Sequence, residues 1–281
     1  MLFRKPTDTS LESVIARYLP VADATGCFSA LGGLSGTSFC VKTDRGRFNA
    51  RRLPEQRLPG LSLHRYHKVL KQLPPGMAPQ PYVLAEGWLL SHWLEGEPWS
   101  GPLPASELAR LLHLLHRQPL FGWRVRVAPL LSYYWQQSSP ARRTAYWLAT
   151  LKYLLAMKEP RPLRLAPLHM DVHAGNLIRQ TQGLGLIDWE YAGDGDIGLE
   201  LATALDCNTF ADDDFLSHYA RLAHLDLTEL YHQIARWQPW VKLLVASWYE
   251  CRWQQTNQPQ FAALADKAWQ EMKYQEKIWV R

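Results

Sequence analysis

His169, Asp171, Asn176 and Asp188 are the residues of this chain whose types and spacing can do chemistry. The run His169-Met-Asp171-Val-His173-Ala-Gly-Asn176 is followed, twelve positions after Asn176, by Asp188 within Ile187-Asp-Trp-Glu190. Short apolar runs, Leu177-Ile-Arg179 and Gly185-Leu-Ile187, lie between the two motifs and predict a hairpin. With its turn centred on Gln182, Ile178 pairs with Leu186 and Asn176 falls opposite Asp188. An amide oxygen and a carboxylate then face each other at the open end. Such hard oxygens suit magnesium when phosphate and water complete its shell. Asp171, in the loop entering the hairpin, can accept the proton of an attacking hydroxyl or orient it. His169 is read as positioning that loop, and the role of His173 stays open. Asp196 is read as capping a helix that begins near Gly198 or bracing the loop, in preference to a third metal ligand. A lone Asp or His in a loop is usually a turn former. The whole constellation at this spacing is much less expected by chance.

A second, weaker signal stands near the N-terminus. Gly32-Gly33-Leu-Ser35-Gly36-Thr37-Ser38 lets backbone N–H groups approach phosphates, and an ordinary β-turn is the competing reading. It precedes a hairpin that ends in Arg51 and Arg52. A cation at the end of that strand can hold the α- and β-phosphates of a nucleotide. Arg51 is the first candidate and Arg52 its rival.

The elements that must position these residues are predicted as follows. Gly26 to Ala50 reads as two or three strands with a turn at Asp44-Arg-Gly46, and Tyr82 to Leu94 as another strand pair turning at Glu86-Gly87. Leu61 to Leu73 reads as a helix ended by Pro74-Pro75-Gly76. Gly96 to Pro102 is the best boundary, which separates a β-rich segment, 1–95, from a mainly helical one, 96–281. In the latter, Ser106 is read as capping a helix with Leu108, Leu111, Leu112 and Leu115 on one face, and Pro140 as opening a long helix to about Met157.

Composition bounds the partners. The chain has 281 residues and a net charge of +5, with arginines scattered in no basic run, so nucleic-acid binding is disfavoured. No stretch of 18 apolar residues predicts a membrane span. Cys27, Cys40, Cys207 and Cys251 form no CxxC and are expected to be reduced, as in the cytoplasm. Trp237, Trp240 and Trp248 lie near helical spacing, which favours packing over ligand contact.

These motifs resemble the aminoglycoside phosphotransferase and choline kinase superfamily over nearly the whole chain. The resemblance includes the loop Leu34 to Phe39, the segment Gly87 to Gly96, the helix Leu108 to His116 and the two motifs above. Longer strings, among them Phe121-Gly-Trp123, Tyr134 to Ser138, Pro140 to Thr144 and Pro160 to Arg164, resemble the branch of that superfamily whose acceptor is thiamine. The resemblance implies an α+β, two-lobed protein-kinase-like fold with a small β-rich, nucleotide-binding N-lobe and a larger helical, catalytic C-lobe. It implies transfer of a phosphoryl group from ATP, with Mg²⁺, to the primary alcohol of thiamine. Asp171 is then the catalytic base, Asn176 and Asp188 the magnesium ligands, and Arg51 the residue at the usual lysine position. Gly33, Ser35, Gly36, Thr37 and Ser38 line the phosphates, and the backbone from Glu86 to Leu90 borders the adenine. Trp189, Glu190 and Tyr191 offer a stacking face and a counter-charge to a cationic acceptor. No nucleic-acid, membrane or obligate protein partner is expected. Another alcohol kinase, acting on choline or an aminoglycoside, and a non-catalytic nucleotide-binding module are the alternatives. One departure stands out. Kinases of this type often pair the strand cation with a helix Glu, yet Leu61 to Leu73 contains no acidic residue.

Overall fold

A computed structural model describes residues 10–19, 29–30, 38–44, 46–53, 59–208 and 212–279. The chain divides into two compact units, Met1–Leu103 with His169–Ala192, and Pro104–Leu168 with Gly193–Arg281.

The first unit is built on an antiparallel sheet of β1 (Ser29–Ala30), β2 (Ser38–Thr43), β3 (Gly46–Arg51), β4 (Pro81–Ala85) and β5 (Trp88–His92), in the order β1-β2-β3-β5-β4. The expected turns form. β2 and β3 pair out to Thr43 opposite Gly46, and Glu86 and Gly87, both at positive φ, make the tight turn from β4 to β5. Helix α1 (Leu11–Tyr18) is capped by Ser10 and packs Leu11, Val14 and Ile15 against Val41, Phe48, Ala50 and Leu90. Each large side chain so buried contributes about 1.5–3 kcal/mol. The core holds β3 as a central strand, so Arg51 at its end is registered on both sides, opposite Ser38 and opposite Leu89. Helix α2 (Leu63–Gln72) buries Tyr66, Val69 and Leu70.

The same unit contains the predicted hairpin, with strands Leu177–Gln180 and Gly183–Leu186, and Glu97–Pro98 added beside the first strand. Its register differs from the expected one by one residue. The turn is the two-residue Thr181-Gln182, so Ile178 faces Gly185 and Leu177 faces Leu186. Asn176 consequently bonds Ile187, whose N–H donates to its carbonyl at 3.0 Å, and Asp188 lies one position beyond. At Gly96 any Cβ would sit 2.3 Å from the Arg179 carbonyl oxygen, so close approach of the neighbouring strand requires glycine.

The second unit is mainly helical, with α3 (Ala105–His116), α4 (Val127–Gln137), α5 (Ala145–Met157), α6 (Ile197–Cys207), α7 (Asp212–Ala223), α8 (Leu227–Thr256) and α9 (Pro259–Trp279). Two expected starts are corrected. Ser106 lies inside the first turn of α3, whose preceding residue Pro104 makes no side-chain cap. Pro140 opens a separate 3-10 turn, Pro140–Arg142, and α5 starts after Thr144, whose hydroxyl accepts the Trp147 N–H. A two-stranded ribbon pairs Leu165–Leu168 with Gly193–Asp196, so the segment carrying the motifs leaves at Leu168 and returns at its partner, Gly193. Among the described residues no helix is long and apolar enough to cross a membrane.

Candidate active site

The loop that carries Asp171 is fixed from below by His169, which is fully buried. Its Nε2–H donates to the Ile187 carbonyl at 2.9 Å, and its Nδ1 accepts the Asp171 N–H at 3.2 Å. A carbonyl can only accept, so these bonds assign the ring's tautomer. Met170, immediately before Asp171, takes a left-handed φ of 70°. The chain then enters a 3-10 turn, Ala174–Asn176, at whose start His173 Nδ1 accepts the Gly175 N–H. Asn176 Nδ2 donates to both the carbonyl and Oδ2 of Asp171, at 2.9 Å each. The amide's donors are thereby spent on the loop, and its Oδ1 is the atom available to a cation.

Asp171 itself is partly open, with 33% of its side chain exposed. Burial works against its ionisation, but the His173 ring, His169 and the Asn176 amide together hold it below the usual carboxylate range. His173 Nε2 lies 3.7 Å from Asp171 Oδ1 and is raised in return, by that carboxylate first and more weakly by Asp188. Asp171 is an ionised acceptor at neutral pH.

Asp188 is also left-handed, with φ 70° and ψ 53°, and stands before the 3-10 turn Trp189–Tyr191. Asp is among the few residues that adopt this region at modest cost, and such departures cluster at functional sites. The turn brings two acids onto Arg51. One terminal nitrogen, Nη1, pairs with Asp188 and lies 3.3 Å from Ser38 Oγ; the other, Nη2, donates to Glu190 at 2.5 Å. The guanidinium also lies over the Tyr66 ring, 5.4 Å from its centroid. Arg52, the rival candidate, lies over Trp88 instead.

The sequence-predicted residues fall out as follows. Asp171, Asn176, Asp188, Arg51 and Ser38 come together in one compact unit. Gly33, Ser35, Gly36 and Thr37 lie outside the described residues. Trp189 is 1% exposed, donates its indole N–H to the Leu186 carbonyl and packs edge-on against His169, so it presents no open face for stacking. Glu190 pairs with Arg51, and Tyr191 is half-buried. Asp196 belongs to the second unit, where it precedes α6 without capping it. Its carboxylate accepts instead from the Leu163 and Arg164 N–H groups, Gln233 and Trp237, which makes it a brace. Sequence reasoning missed Tyr66 as a support for Arg51, and the only signal for it was the helix's lack of an acid.

Among the described residues no three His, Cys, Asp or Glu side chains form a ready-made metal cage. The donor set suits a different arrangement. Asn176 Oδ1 and the second oxygen of Asp188 are hard oxygens of the kind that bind Mg²⁺ together with phosphate and water. A partly open, ionised carboxylate, a neutral oxygen donor, an acid and a buried arginine at a strand end are the kinds of group a phosphoryl transferase uses.

The sequence profile of the phosphotransferase enzyme family named APH matches residues 29–240, and the chain belongs to that family. It is 44% identical to a thiamine kinase of Escherichia coli over 272 residues, which covers 97% of this chain and 98% of that protein. In structure it is similar to choline kinase LicA from Streptococcus pneumoniae, with a TM-score of 0.73 at 17% identity, covering 94% of this chain and 98% of that one. An aminoglycoside-3'-phosphotransferase of type VIII matches with a TM-score of 0.64 at 18% identity, covering 85% and 100%. At these identities the structural likeness is one of fold, the α+β, two-lobed, kinase-like plan expected from the sequence.

Proposed function

We propose that this chain transfers the γ-phosphoryl group of ATP to the primary alcohol of thiamine, giving thiamine phosphate and ADP. What carries the reading is the convergence of Asp171 with Asn176 in a chain 44% identical over 97% of its length to a thiamine kinase. In this reaction the acceptor hydroxyl attacks the γ-phosphorus. The new O–P bond forms as the bond to the β,γ-bridging oxygen breaks, and the hydroxyl proton passes to Asp171. His169 and Asn176 keep that carboxylate in place, and His173 keeps it ionised. Arg51 and Ser38, with the loop Gly33 to Thr37, serve the phosphates, and the backbone from Glu86 to Leu90 borders the adenine. Asn176 and Asp188 would hold Mg²⁺, which when bound neutralises charge on the β- and γ-phosphates. Residues 1–95 then serve the nucleotide and 96–281 the catalysis and the acceptor, in the cytoplasm.

The reading is tested by presenting thiamine, choline and kanamycin separately with ATP and Mg²⁺ and scoring ADP release. Thiamine-dependent release well above that with the other two is expected. A preference for another alcohol overturns the acceptor, and release indifferent to every alcohol overturns the kinase.

A further inference from the structure

We propose that Glu190 is the positioning residue that holds Arg51 for the phosphates, replacing the helix acid that this chain lacks. The inference rests on the reading of the site as an ATP-dependent phosphotransferase. Helix α2, which packs beside the strand cation, carries His64, Arg65, His67, Lys68 and Lys71 and no acid. It gives Arg51 an aromatic surface, Tyr66, in place of a counter-charge. The counter-charges come from the far end of the hairpin, 137 and 139 positions away.

The two acids are not equivalent. Asp188 is the metal ligand of the proposed mechanism, and 29% of its side chain is exposed. Each oxygen it gives to a metal or to water is drawn away from the arginine. Glu190 has 9% of its side chain exposed and Arg51 4%, so theirs is the desolvated pair. Removing one partner of such a pair leaves the other charge buried without compensation. The guanidinium fork spends one terminal nitrogen on each acid, a division that an ammonium group does not reproduce. Among the described residues Arg51 Nε has no hydrogen-bond partner, so the aim of the side chain depends on its two terminal nitrogens. Arginine at this position and glutamate two residues after the metal-binding aspartate are therefore one device. It ties the phosphate cation to the hairpin that carries the metal ligand, and α2 supplies only the packing.

The other role open to Glu190 is that of counter-charge to the thiazolium, and the two separate in kinetics. The full-length protein is compared with Glu190→Gln, Arg51→Gln and the double variant, with KM measured for ATP and for thiamine and ATP·Mg²⁺ binding measured by calorimetry. Glu190→Gln is expected to raise KM for ATP about tenfold and to move KM for thiamine by less than about twofold, the scale of a charge-assisted bond reduced to a neutral one. The double variant is expected to bind ATP no more weakly than Arg51→Gln alone, because the two residues act as a unit. A rise in KM for thiamine with ATP unaffected overturns the proposal in favour of the counter-charge role. Losses in ATP affinity that multiply in the double variant overturn it as well. If Glu190→Gln does not fold, Glu190→Asp keeps the charge but withdraws it by one methylene, and it is scored by the same two criteria. The calorimetric comparison needs no acceptor, so failure of the thiamine assignment would show in the parent's ADP release and not in this result.

Discussion

Between His169 and Asp196 the chain carries four aspartates, and its two units treat them differently. In the second unit Asp194 and Asp196 are buried, and both oxygens of each accept hydrogen bonds within the protein. Asp194 accepts the Phe121 and Gly122 N–H groups at 2.7 Å each, and Asp196 takes four donors from one loop and from α8. In the first unit Asp171 and Asp188 keep about a third of their side chains open. Asp171 is held on one side by an amide and an imidazole, and Asp188 gives one oxygen to Arg51. A buried carboxylate with both oxygens engaged inside the protein fixes chains; a partly open one with an oxygen left over can take a proton or a metal. The difference lies in the shell of donors around each residue.

That comparison is broken most sharply at Asp171. Asp171→Ala is expected to lower kcat by about 10²–10⁴-fold, the range for loss of a general base, while ATP binding by calorimetry stays near that of the parent. Near-normal turnover would remove Asp171 from the chemistry. Asp196→Ala inverts the pattern. It orphans the donors of Gln233, Trp237, Leu163 and Arg164 and should cost about 3 kcal/mol in urea unfolding, with KM for ATP little changed in protein that remains folded. An undiminished unfolding midpoint would show that the brace carries no stability. Asp188→Asn stands between the two. It should shift the Mg²⁺ titration of activity to about tenfold higher concentration. A titration that coincides with the parent's would take Asp188 off the metal.

The sequence was most legible where the reasoning was local. Glu86-Gly87 turns where turn chemistry demands, β2 and β3 close on each other at Thr43 and Gly46, and the HxDxxxxN run stands where a loop enters a hairpin. The register slipped by one because apolar residues mark that strands exist but do not count the residues in their turn. Thr181-Gln182 suffices where a longer loop was read. Pro140 and Ser106 misplaced helix starts for a related reason, since a residue suited to a cap does not show which neighbour takes the position. The counter-ions of Arg51 were beyond local reading altogether. No spacing rule connects residue 51 with residues 188 and 190, and the missing acid on α2 marked a vacancy without naming its replacement. Trp189 faces the core, and an aromatic beside a candidate metal ligand looks the same in sequence whether it faces a ligand or the core.

The smallest effect expected in the comparison is at His173, which pairs with the open Asp171 and has no counterpart at Asp194 or Asp196. Asp171 is depressed by its surroundings, so its ionised form persists below the usual carboxylate range and the acid limb of kcat/KM should lie correspondingly low. His173→Asn removes the main group holding it there, and the limb should move to higher pH. The same pair enters stability with opposite signs at its two ends. A depressed carboxylate stabilises the fold above its unfolded value and loses that contribution as pH falls through its folded value. A raised imidazole stabilises below its unfolded value and loses its contribution as pH rises through its folded one. The stability gap between parent and His173→Asn should therefore be widest in mildly acid solution and close as the imidazole deprotonates. Both side chains are about a third exposed or more, and the pair is 3.7 Å apart, so solvent screening keeps the gap to about 0.2–1 kcal/mol. Urea midpoints measured across that titration decide the matter. A gap that holds constant through it would show that His173 supports the loop by shape, through its bond to the Gly175 N–H, and that Asp171 keeps its charge without it.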